Sequence, residues 1–172
     1  MAKLIINLMS KVVIGVMGVG SATSEELQLA YDLGKAIAEN NWVLLTGGRK
    51  AGVMDAASRG AKSADGLVVG VLPGRDYVSK SPMVDIAIVT DMGNARNNIN
   101  VLSSDVVIAC GMGLGTASEV ALALKNCKPV ILLNQSQLTE QFFASLTQEN
   151  LFSTQTVEEA IAIVGEILNL SS

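Results

Sequence analysis

No histidine occurs anywhere in the chain, which removes the commonest ligand of zinc and of non-haem iron. The two cysteines, Cys110 and Cys127, each adjoin an expected strand and match no paired metal spacing, so no resident metal is expected and the chain reads as a reduced, cytoplasmic protein. Aromatic residues make up 3% of the sequence, too few for the stacking platforms that single-stranded nucleic acid needs. Sixteen acidic against twelve basic residues leave a net charge of −4, so no overall positive field draws in a nucleic-acid backbone or an anionic membrane. No apolar run approaches the roughly 20 residues of a membrane-spanning helix, since "VVIGVMGVG" is short and breaks at glycines. The opening "MAKLIINLMSK" carries lysines around a short apolar run but no small-residue cleavage site, and it reads as a tail over residues 1–11 ahead of one domain over 12–172.

What the chain does hold is 49% hydrophobic residues and 16 glycines against three prolines, ample material for one sizeable core. Short β-branched runs recur: "VVIGVM" (12–17), "WVLLT" (42–46), "LVVGVL" (67–72), "DIAIV" (85–89), "DVVIAC" (105–110) and "PVILL" (129–133). They are apolar throughout, as parallel strands covered on both faces are. Helical periodicity fills the intervals at about 23–40, 52–64, 93–104 and 115–126, with two more helices near 138–146 and 156–170. This repeated winding predicts an α/β, doubly wound, Rossmann-like domain with a mostly parallel sheet, whose ligands sit beyond the carboxyl ends of the strands.

Three glycine clusters lie at those ends: Gly18, Gly20 and Ser21 after the first strand; Gly47, Gly48, Arg49, Lys50 and Gly52 after the second; Gly111, Met112, Gly113, Leu114 and Gly115 after the fifth. A bare backbone that opens a helix presents free N–H groups and the positive end of the dipole to a phosphate, or it simply turns the chain. Three such loops on one edge favour a ligand cleft. The first loop does not complete G-x-G-x-x-G, no acidic ribose partner follows the second strand, and no G-x-x-x-x-G-K-[ST] occurs, which disfavours a dinucleotide oxidoreductase and excludes a P-loop nucleotidase. Arg49, Lys50 and Arg75 are candidate phosphate partners; as single loop cations they are equally ordinary solvated charge.

In "MGNARNNINVLSSD", Ala95, Ile99 and Leu102 fall at helical spacing and are expected to face the sheet. Arg96 with the asparagines Asn94, Asn97, Asn98 and Asn100, themselves poor helix formers, is unusual helix material, suited to gripping an oxyanion and reading the edge of a heterocycle. Thr116 and Glu119 are spaced as a capping box at the start of the helix after the fifth strand, a pattern that recurs at Thr23 with Glu26 and at Thr156 with Glu159, so helix punctuation is the expected role of Glu119. The mean hydropathy of +0.43 exceeds what these helices can bury, so a face such as "VALALK" (120–125) is expected to be shared in a homo-oligomer.

The stretches "TGGRKAGVMDAASRGAKSADGLVVGVLPG" and "ARNNINVLSSDVVIACGMGLGTASEVALALKNCKPVILL" resemble the Rossmann-like superfamily that holds the lysine-decarboxylase-like LOG proteins and the molybdenum cofactor carrier proteins. LOG enzymes are phosphoribohydrolases that cut the N-glycosidic bond of nucleoside 5′-monophosphates, with motifs G-G-G-x-x-G-x-M, an Arg-Lys pair and P-G-G-x-G-T-x-x-E. The chain matches at Gly47, Gly48, Gly52, Met54, Arg96, Gly113, Gly115, Thr116 and Glu119, but places Arg49 for the third glycine, Asn97 for the lysine, and Gly111 and Met112 for the Pro-Gly. The resemblance therefore implies, first, a carrier that stores molybdenum cofactor without turnover, the pterin bringing its own metal and no protein metal ligand being needed. Its partners would be further copies of the chain, as a dimer or tetramer, and recipient molybdoenzymes, with no nucleic acid or membrane. The alternative it implies is a phosphoribohydrolase, needing no cofactor, with Arg96 and Glu119 as its catalytic pair.

Overall fold

The structure is a computed structural model that describes residues 11–170; the tail expected over 1–11 therefore lies, but for Lys11, outside the described residues. The elements follow as β1 (Val13–Gly18), α1 (Ser24–Glu39), β2 (Val43–Thr46), α2 (Gly52–Ser63), β3 (Val68–Leu72), β4 (Ile86–Val89), a 3-10 turn (Gly93–Arg96), α3 (Asn97–Leu102), β5 (Val106–Cys110), α4 (Leu114–Lys125), β6 (Val130–Leu133), α5 (Gln137–Leu146), β7 (Leu151–Thr154) and α6 (Val157–Leu170). Seven strands make one sheet in the order β4-β3-β2-β1-β5-β6-β7, every neighbouring pair parallel. The expected α/β doubly wound architecture is what the chain adopts.

Strand residues alternate between two cores. Ile14, Val16, Leu44, Ile108, Ile131 and Leu133 pack with α1, α2 and α6, and Met17, Leu45, Val71, Val107, Ala109 and Leu132 form the opposite core, which also takes in Val101, Val120 and Phe143. Burial on both faces explains why the central strands read as unbroken apolar runs. β4 departs from that expectation, because it is an edge strand with Ile86 and Ile88 about half exposed. β7 was not anticipated: "LFST" is half polar and partly exposed at the other edge, so it lacks the apolar signature.

The chain winds outward through β2, β3 and β4, then returns to lay β5 against β1. At that switch point the loops leaving β1 and β5 diverge to opposite faces, opening a crevice at the carboxyl edge. α1 and α2 brace one side of it. They cross so closely that a Cβ on Gly34 would strike the carbonyl of Ala57 and one on Gly60 the carbonyl of Tyr31.

Candidate functional site

The crevice contains a cavity of about 80 Å³. Its walls come from the ends of β1 (Val16, Met17, Gly18), from Gly47, Arg49 and Met54 around the β2–α2 loop, from Asn94, Arg96 and Asn97 around the 3-10 turn, and from Gly115, Thr116 and Glu119 in the first turns of α4. Ten of the residues singled out from the sequence, Asn94 among them, thus meet at one place.

Arg96 is the central cation, only 7% exposed. Its Nη1 donates to Asn97 Oδ1 at 3.1 Å and to Glu119 Oε1 at 3.4 Å. Its Nη2 lies where a Cβ on Gly47 would be, 2.6 Å away, so the guanidinium rests on bare backbone. Glu119 Oε1 also accepts from Asn100 Nδ2 at 2.8 Å, and Asn97 Nδ2 donates to Ser118 Oγ at 2.8 Å, which in turn donates to the Gly115 carbonyl at 2.7 Å. The network ties α3 to α4. Burial lowers the Arg96 pKa, opposed by Glu119 and reinforced by Arg49. Burial raises that of Glu119, opposed by the Asn100 hydrogen bond and by Arg96 and Arg49. For each partner desolvation outweighs the attraction between them, as is usual for a buried pair with a long contact.

Two donors in this wall are left without protein partners: Arg96 Nε and Thr116 Oγ1 are both buried and unpaired. Buried polar groups are nearly always satisfied, so two orphaned donors on residues of one cavity wall favour an acceptor there; the third unpaired buried atom, Asn100 Oδ1, belongs to a residue outside the wall. Arg49, exposed at the rim, forms no ion pair with a described carboxylate. The cavity therefore gathers two guanidinium groups, a hydroxyl and the N–H end of α4 around one carboxylate.

This geometry overturns the capping-box reading of Thr116 and Glu119. α4 begins at Leu114 with Gly113 as N-cap and no side-chain cap, two residues before Thr116, so these two residues lie inside the helix with their side chains turned to the cavity network. The box at Thr23 and Glu26 is complete. That at Thr156 is half formed: its hydroxyl accepts from Glu159 N at 3.2 Å, while the Glu159 carboxylate takes the Thr154 hydroxyl instead. The helix after β4 meets expectation only in part. Arg96, Asn97 and Asn100 are buried, whereas Ala95 is exposed and Leu102 46% exposed. A 3-10 turn precedes only six α-helical residues; Ile99 packs against the core as expected, with Val101 buried beside it, while the buried polar side chains meet α4.

The remaining selected residues lie outside the cavity wall. Gly111 and Gly113 are bare for the chain's own side chains: a Cβ on Gly111 would sit 2.8 Å from Glu26 Oε1, and one on Gly113 3.0 Å from Val19 Cγ1. Gly48 (φ +71°) lies against Gly70, and Gly52 (φ +48°) against the Val19 carbonyl, both backbone conformations that favour glycine. Gly20, Ser21, Lys50, Asn98 and Leu114 are exposed at the same edge. Arg75 is exposed and pairs with Asp91 at 3.8 Å, and Met112 lines a separate apolar trough between α4 and α5. Of the asparagines named with Arg96, Asn94 lines the cavity and Asn100 holds Glu119; Val16 and Met17 were missed as wall residues, because in sequence they are ordinary members of an apolar strand. Cys110 is free and buried, its thiol pushed up to about 12 by burial and by Glu26, so it stays protonated and is no nucleophile. Among the described residues no group of three acidic or cysteine side chains could hold a metal ion, and no helix is long and apolar enough to cross a membrane.

Comparison with known proteins bears on this site. Residues 11–161 match the model of the SLOG cluster4 family. The chain is similar to the solved molybdenum cofactor binding protein of the phototrophic bacterium Rippkaea orientalis, at 58% identity and a TM-score of 0.91, over 93% of this chain and 99% of that one. It is similar to the molybdenum cofactor carrier protein of Chlamydomonas reinhardtii at 51% identity and a TM-score of 0.89, with the same coverage. A cytokinin riboside 5′-monophosphate phosphoribohydrolase of Rhodococcoides fascians is 29% identical over 160 residues, 80% of each chain.

Proposed function

The chain belongs to the SLOG cluster4 family, and from that premise we propose that it binds, stores and carries molybdenum cofactor at the carboxyl edge of its sheet, without turnover. The observation that carries this reading is the pair of buried, unpaired donors, Arg96 Nε and Thr116 Oγ1, in a cavity open to the crevice. An anionic terminal phosphate supplies the acceptors those donors lack, with the first N–H groups of α4 and the Arg49 guanidinium completing its shell. The residues of the wall bind and orient the phosphate; the rest of the cargo extends along the exposed edge past Gly20, Ser21 and Lys50. The metal arrives already held by the pterin and asks nothing of the chain. The reading is supported by solved relatives at 50% identity or more that are molybdenum cofactor binding or carrier proteins, against 29% for the phosphoribohydrolase.

A specific observation favours the hydrolase as a second reading, namely that Arg96 and Glu119 both face the cavity. Incubating the protein separately with molybdenum cofactor and with a panel of nucleoside 5′-monophosphates separates the two. Cofactor retention with no free base is expected; release of base from any nucleotide establishes the hydrolase instead.

We further propose a homo-oligomer built on the α4–α5 face, where Leu138 (77% exposed), Phe142 and Leu146 stand beside troughs floored by Ala117, Ala121 and Phe143. Side chains this apolar in one patch mark a contact surface. Light scattering is expected to give a multiple of the chain mass, lowered by Phe142→Glu; a monomeric wild type at micromolar concentration removes the proposal.

A further inference from the structure

We propose that Glu119 takes up one proton when a phosphorylated ligand enters the cavity, so that anion binding and protonation of this carboxylate are coupled. The proposal rests on the phosphate-binding reading above and adds to it a role for a residue that would otherwise repel the ligand.

Glu119 is 5% exposed and lines the cavity. Both of its hydrogen bonds, from Asn100 Nδ2 and Arg96 Nη1, fall on Oε1. Oε2 has no partner among the described residues, which leaves it for the cavity. The charged groups that face Glu119 are Arg96 from the 3-10 turn and Arg49 from the β2–α2 loop; α3 contributes the neutral amide of Asn100, and α4 itself the neutral Thr116 and Ser118.

The charge count decides the protonation state. With the cavity free of ligand, two guanidinium groups face one carboxylate. A phosphomonoester dianion balances both cations, and an ionised Glu119 then becomes a third negative charge with no counter-charge, in a cavity of about 80 Å³. A like charge this close disfavours ionisation. A proton from solvent placed on Oε2 removes the repulsion and turns the carboxyl into a hydrogen-bond donor toward a phosphate oxygen, while Oε1 keeps its bonds to Asn100 and Arg96. Burial already raises the carboxyl's pKa before any ligand arrives, so the proton is taken up at modest cost.

The sign follows from linkage. Binding raises a pKa that burial has already raised, so between the free-site and bound-site values the complex holds one more proton than its components. Affinity then falls as pH rises, by up to about tenfold per pH unit in that window, and is flat below and above it. In Glu119→Gln the amide keeps an acceptor for Asn100 and gains a donor toward the phosphate, but cannot titrate. That variant is expected to bind with nearly the low-pH affinity at every pH.

Calorimetric titration of the whole protein with inorganic phosphate tests this at a series of pH values that spans the window, in buffers of different ionisation enthalpy, with the proton that monoanionic phosphate itself carries subtracted. Net uptake approaching one proton per phosphate by the wild type inside the window, absent in Glu119→Gln, whose affinity no longer falls across it, is the expected result. Phosphate binding by wild type with no net proton uptake at any pH of the series overturns the coupling and leaves the phosphate reading standing; this arm needs no variant. Uptake that persists unchanged in Glu119→Gln assigns the proton elsewhere and also overturns it. If inorganic phosphate fails to bind while molybdenum cofactor does, both the coupling and the placement of the phosphate fall together.

Discussion

Gly115 is the glycine of the α4 loop at which a side chain has somewhere to go. A Cβ there meets no protein atom within 4 Å, whereas at Gly111 and Gly113 it meets Glu26 and Val19. Gly115 is also a wall of the cavity and a residue of the first turn of α4. Gly115→Val therefore projects two methyl groups into the space assigned to the phosphate while removing a poor helix former. Cofactor binding is expected to drop at least about tenfold, a change of about 1.4 kcal/mol, with stability unchanged or raised by up to about 0.5 kcal/mol. Thermal melts beside a binding titration check both halves, and wild-type affinity in a folded variant shows that the ligand does not approach this backbone. From sequence alone the three loop glycines are indistinguishable, because what separates them is Val19, more than 90 positions away in the chain, which packs against two of them. The arginine and glutamate were legible as chemistry. Their pairing was available only through the family resemblance, since by spacing alone Glu119 reads as a cap and only the start of α4 at Leu114 shows that it is not one.

At the scale of elements, the strongest constraint is the crossing of α1 with α2. Gly34 and Gly60 let each backbone lie against a carbonyl of the other helix, and α2 begins at the β2–α2 loop that carries Arg49. Gly60→Val forces the helices apart, overpacking that costs about 3 kcal/mol, and chemical denaturation is expected to show the midpoint falling with little change in slope. A variant as stable as wild type indicates that α1 can slide without loss. Five central strands, β1, β2, β3, β5 and β6, were plain in the sequence because burial on both faces leaves an unbroken apolar run. The edge strands carry weaker signals: β7 exposes Phe152 and Ser153 and went unseen, and β4 exposes Ile86 and Ile88. α3 was legible only in part, for a different reason. Ile99 packs against the core as expected, beside the buried Val101, but Ala95 and Leu102 are exposed, and a buried polar network of Arg96, Asn97, Asn100 and Glu119 occupies the face toward α4.

At the scale of the whole molecule, the return of the chain from β4 to β5 sets the loops after β1, β2 and β5 around one crevice, and strand order alone places a ligand there. What the fold cannot choose is the occupant, because a cofactor carrier and a phosphoribohydrolase both occur among the relatives. The choice rests on the cavity, which offers donors to an oxyanion and holds its one carboxylate in a buried network. The most direct measurement is therefore the molybdenum and pterin content of the whole protein after incubation with molybdenum cofactor and gel filtration, beside an assay for free base with nucleoside 5′-monophosphates. The account predicts one molybdenum and one intact phosphorylated pterin per chain, and no base released. Protein that emerges free of molybdenum and pterin, or that liberates base from a nucleotide, contradicts it.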